Sequence, residues 1–150
     1  NLILPPVHKK QLETNISGLL ELSNVSFAYP SRLQTPAIRQ LSLEVQPGEN
    51  LALVGPSGAG KTTLFELLLR FYDPQEGEIL FEHINIKDLD PNELRSHLAI
   101  VPQQPALFST NVRENIRYGN PDADDEQIAE AAEMAFASEF IEELMFSSNR

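Results

Sequence analysis

The hydrophobic positions along the chain change their period as it proceeds. "LLELSNVSFAY" (19–29) alternates, with Leu20, Leu22, Val25 and Phe27 available to one buried side or the other. "AIRQLSLEV" (37–45) alternates again through Ile38, Leu41, Leu43 and Val45. A period of two predicts two strands. "QPGE" (46–49) signals a turn, and "NLALVG" (50–55) reads as a short buried strand. From Lys61 to Phe71 the apolar residues Leu64, Leu67, Leu68 and Phe71 fall on one helical face. Asp73-Pro74 and Gly77 end that helix. "EILFEHINI" (78–86) then predicts a short hairpin, "PNELRSHL" (91–98) a helical turn or two, and "LAIV" (98–101) a second buried strand that stops at Pro102.

Beyond "PQQP" the pattern becomes helical. "DADDEQIAEAAEMA" (122–135) places acidic residues in its first turn, where the helix dipole favours them, and Ile128, Ala131, Ala132 and Ala135 along one face. "SEFIEELM" (138–145) predicts a further short helix with Ser138 as N-cap. Residues 1–18, with Pro5-Pro6 and Lys9-Lys10, read as a linker or leader. The layout is a β-rich region over 19–50, an α/β centre over 51–110 and a helical end over 111–150.

The 150 residues amount to about one domain, with ordinary apolar (41%) and charged (22%) fractions. There is no cysteine, which suits a reducing compartment and removes any thiol nucleophile. The apolar runs are too short to span a bilayer. The net charge of −11 is uneven: from Glu114 onward ten acidic residues face two arginines, a net of −8. That sign opposes a phosphate-tracking surface, so no nucleic-acid partner is expected, and an acidic helical end reads as a solvated face.

The chemistry lies in Gly55-Pro56-Ser57-Gly58-Ala59-Gly60-Lys61-Thr62, which fits G-x-x-x-x-G-K-[ST] between a predicted strand and a predicted helix. Glycines let successive N–H groups curl inward and leave no side chain in the way of a phosphate. The helix start adds its positive end. Lys61 can reach the β- and γ-phosphates, the Thr62 hydroxyl can ligate Mg²⁺, and Thr63 adds a donor near the α-phosphate. A chance match in a chain this long is on the order of a few per thousand. His8, His83 and His97 have no partner ligands nearby in sequence and read as surface or packing residues.

A phosphate loop alone leaves kinases, GTPases and transport ATPases open. Two further stretches narrow the field: Tyr29 in "SFAYP" upstream and Gln103 in "AIVPQQPALF" downstream. With "NVSFAYPSR", "GPSGAGKTTLFELLLRFYDPQEGEI", "LAIVPQQPALFSTNVRENIRYG" and the 124–135 helix in this order, the chain resembles the nucleotide-binding domain of ATP-binding cassette (ABC) transporters over 19–144, specifically of exporters that fuse it behind a membrane half. The resemblance implies a P-loop NTPase (RecA-like) α/β core, incomplete here, with an N-terminal antiparallel β subdomain and the start of a helical subdomain. It implies ATP and Mg²⁺ as cofactors, Tyr29 stacked on adenine, and Gln103 touching Mg²⁺ or the attacking water. Partners would be a second nucleotide-binding domain, in a homo- or heterodimer, and membrane-domain coupling helices near 111–119. The location would be the cytoplasmic face of a membrane.

The chain departs from the family pattern in three respects. Glu82-His83 stands where the family commonly has Asp-Gly, so that turn is expected to be built differently. No LSGGQ-like segment, no apolar run ending in Asp-Glu and no histidine follows Gln103. The pattern is lost at "MFSSNR" (145–150). The expectation is the N-terminal part of such a domain, with Leu51–Val54 exposing an apolar edge, weak nucleotide binding and almost no hydrolysis by itself. A non-hydrolytic ATP-binding module and a P-loop kinase are the alternative readings.

Overall fold

The computed structural model describes residues 3, 6, 9–104 and 106–141. They form two compact units, Asn1–Ile100 and Val101–Arg150.

In the first unit β1 (Leu20–Phe27), β2 (Ile38–Val45), β3 (Glu76–Phe81) and β4 (Ile84–Asn85) build an antiparallel sheet in the order β2-β1-β3-β4. Alternation in β1 is interrupted after Leu22, where Asn24 takes φ 49° and the register shifts. Leu22, Val25 and Phe27 thereby all reach the core. Serine hydroxyls take over bonds that the irregular ladder breaks: Ser42 Oγ accepts from Asn24 N–H (2.9 Å) and Ser26 Oγ from Gln40 N–H (3.0 Å).

Helix α1 (Lys61–Leu68) adds Leu64 and Leu67 to the cluster of Leu22, Val25, Phe27, Ile79 and Phe81. The expected helix to Phe71 is cut short. Arg70 turns into the left-handed region (φ 52°), Arg70 N–H reaches Leu67 O (2.9 Å) and Phe71 N–H reaches Glu66 O (2.8 Å). These are the paired bonds of a Schellman stop. Phe71 is therefore 50% exposed, with the Arg95 guanidinium 4.9 Å from its ring centroid. A left-handed non-glycine costs about 1–2 kcal/mol. Two guanidinium groups offset it. Buried Arg70 donates to Leu89 O (2.6 Å) and Asp73 (3.2 Å), and Arg95 donates to Leu69 O (2.8 Å) and Arg70 O (2.9 Å).

A short 3₁₀ turn (Ile86–Asp88) and α2 (Pro91–Ser96), capped by Asp90, complete this unit and bury Ile86, Leu89 and Leu94. Residues 9–18 run alongside it. Lys9 pairs with Asp90 at 2.6 Å, Leu12 N–H donates to Glu93 at 3.0 Å, and Leu12 and Ile16 pack on the core.

The β3–β4 hairpin forms as expected, but its turn corrects one expectation. Glu82 and His83 both adopt positive φ (50° and 60°), the two-residue geometry for which Asn-Gly and Asp-Gly are usual. Compensation comes from the side chains. The Glu82 carboxylate accepts from the N–H groups of Ser17 (3.0 Å), Gly18 (2.5 Å) and Leu19 (3.0 Å), and His83 Nδ1 lies 2.8 Å from Glu21. Burial pulls the Glu82 carboxyl upward, but the donors, Gly18 N–H foremost, outweigh it and hold the group below its ordinary value.

Two predicted strands do not form. Residues 50–55 and 98–101 are in no strand. Leu51, Leu53 and Val54 are exposed, Val54 by 91%, as are Ile100 and Val101. An apolar run is buried only where a neighbouring strand completes its ladder, and among the described residues none pairs with either run.

The second unit holds α3 (Val112–Arg117), capped by Asn111, and α4 (Asp125–Met134), with a full capping box of Asp124 and Gln127. Arg113 and Arg117 both pair with Asp125 at 2.9 Å. The buried face of α4 is narrower than expected: Ile128 and Ala132 are covered, Ala131 and Ala135 are not. Residues 138–141 are helical, and Ile141 N–H bonds to Ala137 O, so Ala137 rather than Ser138 stands before the first turn. The rest of that predicted helix lies outside the described residues.

Because the Glu82 carboxyl is depressed in the folded state, its contribution is present above the ordinary glutamate value of ~4.3 and is lost as pH falls through that value and below. Glu82→Gln is expected to lower stability at pH 7 by on the order of 1 kcal/mol, with the gap closing as acid protonates Glu82 in the folded protein. Denaturant midpoints of both proteins across this range check it.

Candidate phosphate-binding site

The loop at 55–60 is shaped by backbone contacts rather than by a side-chain cap. Gly58 and Gly60 take φ 80° and 85°, and Ala59 N–H closes a turn on Pro56 O at 3.2 Å. At Gly60 a Cβ would sit 2.5 Å from the Ala37 carbonyl oxygen, so no other residue fits there without moving the backbone. At Gly58 a Cβ would meet nothing within 4 Å.

Gly60 is the N-cap of α1 and supplies no side-chain acceptor, and the first turn carries no acidic residue. By contrast, Asp90, Asn111 and Asp124 cap α2, α3 and α4 with their side chains. The N–H groups of the first turn of α1 therefore need an external acceptor, in a positive field suited to an anion. Lys61 arches back over the loop, its Nζ donating to Gly55 O (2.7 Å) and Pro56 O (2.8 Å). This sets an ammonium above residues 55–60. Pro56, Ser57 and Ala59 are exposed along the loop. Thr62 is exposed, whereas Thr63 is only 6% exposed.

Tyr29 lies in the same unit and bonds directly to this helix. Its ring stands edge-on to Phe27 (5.1 Å, 77°) and to Tyr72 (5.4 Å, 87°), and it packs on the core. Its hydroxyl lies 2.8 Å from Thr63 Oγ1 and donates to Glu66 Oε2 at 2.5 Å. Burial, then the Glu66 carboxylate, pushes the phenol above its usual pKa. The backbone just before Tyr29 is clamped by Gln75, whose amide accepts from Ala28 N–H (2.8 Å) and donates to Ala28 O (2.9 Å).

The structure thus brings Tyr29 and residues 55–63 into one unit. Gln103 lies in the other, in an exposed bend after Pro102, and 111–119 forms α3 and its flanks there. Glu66 escaped the sequence analysis. Its spacing from Thr63 puts both on one helical face, but Tyr29, the partner that joins them, is remote in sequence. Among the described residues no group of three His, Cys, Asp or Glu side chains could hold a metal ion, so a cation here needs oxygens from a ligand beside Thr62. No helix among them is long and apolar enough to cross a membrane.

The family model described as ABC transporter matches residues 38–148. The chain is 48% identical over 139 residues to ABC transporter B family member 14 of Arabidopsis thaliana, covering 93% of this chain and 11% of that protein. It is 50% identical over 127 residues to an ATP-dependent lipid A-core flippase of Chromobacterium violaceum, covering 85% of this chain and 22% of that protein. A bacterial Atm1-family ABC exporter solved with ATP bound superposes with a TM-score of 0.84 at 37% identity, over 91% of this chain and 24% of that one. The chain belongs to the ABC transporter family and is a nucleotide-binding domain of exporter type. It spans a small part of the length of these relatives.

Gly60→Ala is expected to destabilise the first unit by about 2 kcal/mol or more, since a left-handed alanine also strikes the Ala37 carbonyl. Gly58→Ala, with open space around it, should cost about 1 kcal/mol. Chemical denaturation of the two variants measures the difference.

Proposed function

We propose that this chain binds Mg-ATP with its phosphates on residues 55–63, as part of a transporter in which ATP hydrolysis drives export across a membrane. The observation that carries the reading is the uncapped start of α1 beneath the Lys61 ammonium. Backbone donors from the loop and α1, the point charge of Lys61 and the hydroxyls of Thr62 and Thr63 suit a polyphosphate. The hydroxyl of the exposed Thr62 would ligate Mg²⁺, together with phosphate oxygens and water. Tyr29 supplies a π-face for adenine, worth roughly 1–3 kcal/mol in nucleic-acid systems.

In the whole protein, two such domains sandwich the nucleotide, α3 and its flanks meet the membrane part, and Gln103 senses the γ-phosphate or the attacking water. The names of the flippase and of the ATP-bound exporter support this reading. The bare apolar residues at 51–54 and 100–101 fit a central sheet completed by further strands. Lys61 and Mg²⁺ would stabilise charge in phosphoryl transfer to water, while no residue described here is assigned as the base.

Calorimetric titration of the chain with Mg-ATP is expected to show binding that Lys61→Ala weakens by at least about tenfold, a loss of about 1.4 kcal/mol. Phosphate release by the chain alone should stay at background. Equal affinity in Lys61→Ala would contradict the site.

A further inference from the structure

Glu66 takes no part in phosphate or base binding as assigned above, yet it fixes where two hydroxyl protons point. A carboxylate only accepts hydrogen bonds. The Tyr29 hydroxyl hydrogen is therefore committed to Glu66 Oε2 at 2.5 Å. Tyr29 Oη then faces Thr63 Oγ1, 2.8 Å away, as an acceptor, and the single hydroxyl hydrogen of Thr63 is drawn to it. The relay runs Thr63 to Tyr29 to Glu66, with each donor used once. Thr63 is 6% exposed and Tyr29 is held edge-on by Phe27 and Tyr72, so little water competes for these bonds. While the relay stands, Thr63 Oγ1 presents only lone pairs to a phosphate oxygen, which repels it.

We propose that Glu66 is a positioning residue which, through Tyr29, holds the Thr63 hydroxyl proton, so that a phosphate gains that donor only at the cost of the Thr63–Tyr29 bond. This rests on the assignment of Tyr29 to the base and Thr63 to the α-phosphate made above. A bare polyphosphate offers no aromatic face, leaves the relay closed and gains only the backbone donors and Lys61.

The test compares Mg-tripolyphosphate and Mg-ATP by calorimetry on the full chain, in the wild type and in Tyr29→Phe, Glu66→Ala, Thr63→Val and the Tyr29→Phe/Thr63→Val double variant. Tyr29→Phe keeps the ring and removes one oxygen; circular dichroism establishes that each variant retains its helices. Tyr29→Phe and Glu66→Ala are expected to bind tripolyphosphate about three- to tenfold tighter, the range set by one hydrogen bond. Thr63→Val should abolish the gain in the double variant, a coupling that loss of packing does not produce. Unchanged or weaker tripolyphosphate binding by Tyr29→Phe overturns the relay, and the nucleotide site itself still stands if Lys61→Ala weakens Mg-ATP. If Lys61→Ala binds both ligands as the wild type does, the site reading fails and the relay with it. A ligand-free measurement adds a second check. The Tyr29 hydroxyl proton should be downfield and slow to exchange by NMR in the wild type and fast in Glu66→Ala, and fast exchange in the wild type overturns the proposal.

Discussion

The close approach of Gly60 to the Ala37 carbonyl is the constraint on which the site depends. Ala37 is fixed because its own N–H donates to Phe27 O at 2.8 Å, closing the corner between β1 and β2. A Cβ at residue 60 would lie 2.5 Å from that carbonyl, so the loop and the first turn of α1 are seated against the sheet corner with no slack. The same corner carries Tyr29, two residues beyond Phe27, with Gln75 clamping the backbone between them. Tyr29 and the 55–60 loop thus share one support. Their spacing follows from the sheet rather than from a flexible connection.

Helix α1 has only eight residues, too few to persist by propensity alone. Both of its ends are held from outside. The start rests on Ala37, and the end is closed by a Schellman turn with Arg95 donating to Leu69 O and Arg70 O. Leu64 and Leu67 bury its inner face. With its C-terminal carbonyls taken up by these groups, the helix keeps free donors at its N-terminal end. Short length and uncapped donors go together: a longer helix with an acidic cap would be more stable and would bind no anion.

How much of this could be read from the chain depends on how local each cause is. The loop motif, strands β1 and β2, the hairpin and helix α4 involve residues within a few positions of one another, and the structure contains them. The bulge that brings Val25 and Phe27 inward leaves only a break in alternation after Leu22 as its trace. The positive φ values at Glu82 and His83 are sustained by N–H groups of Ser17 to Leu19, far off in sequence, so the turn rule pointed elsewhere. Leu51–Val54 and 98–101 have the composition of buried strands, yet composition cannot supply the neighbour that buries them. Glu66 stayed hidden for a related reason: its role exists only where α1 meets the residue that follows β1.

The most direct test of the account is a structure of the chain bound to Mg²⁺ and a non-hydrolysable ATP analogue. The account predicts phosphate oxygens within hydrogen-bond reach of N–H groups in 57–62, Lys61 Nζ moved from Gly55 O and Pro56 O onto a phosphate, and the base against the Tyr29 ring. Phosphates bound elsewhere, with Lys61 still folded onto the loop carbonyls, would contradict it.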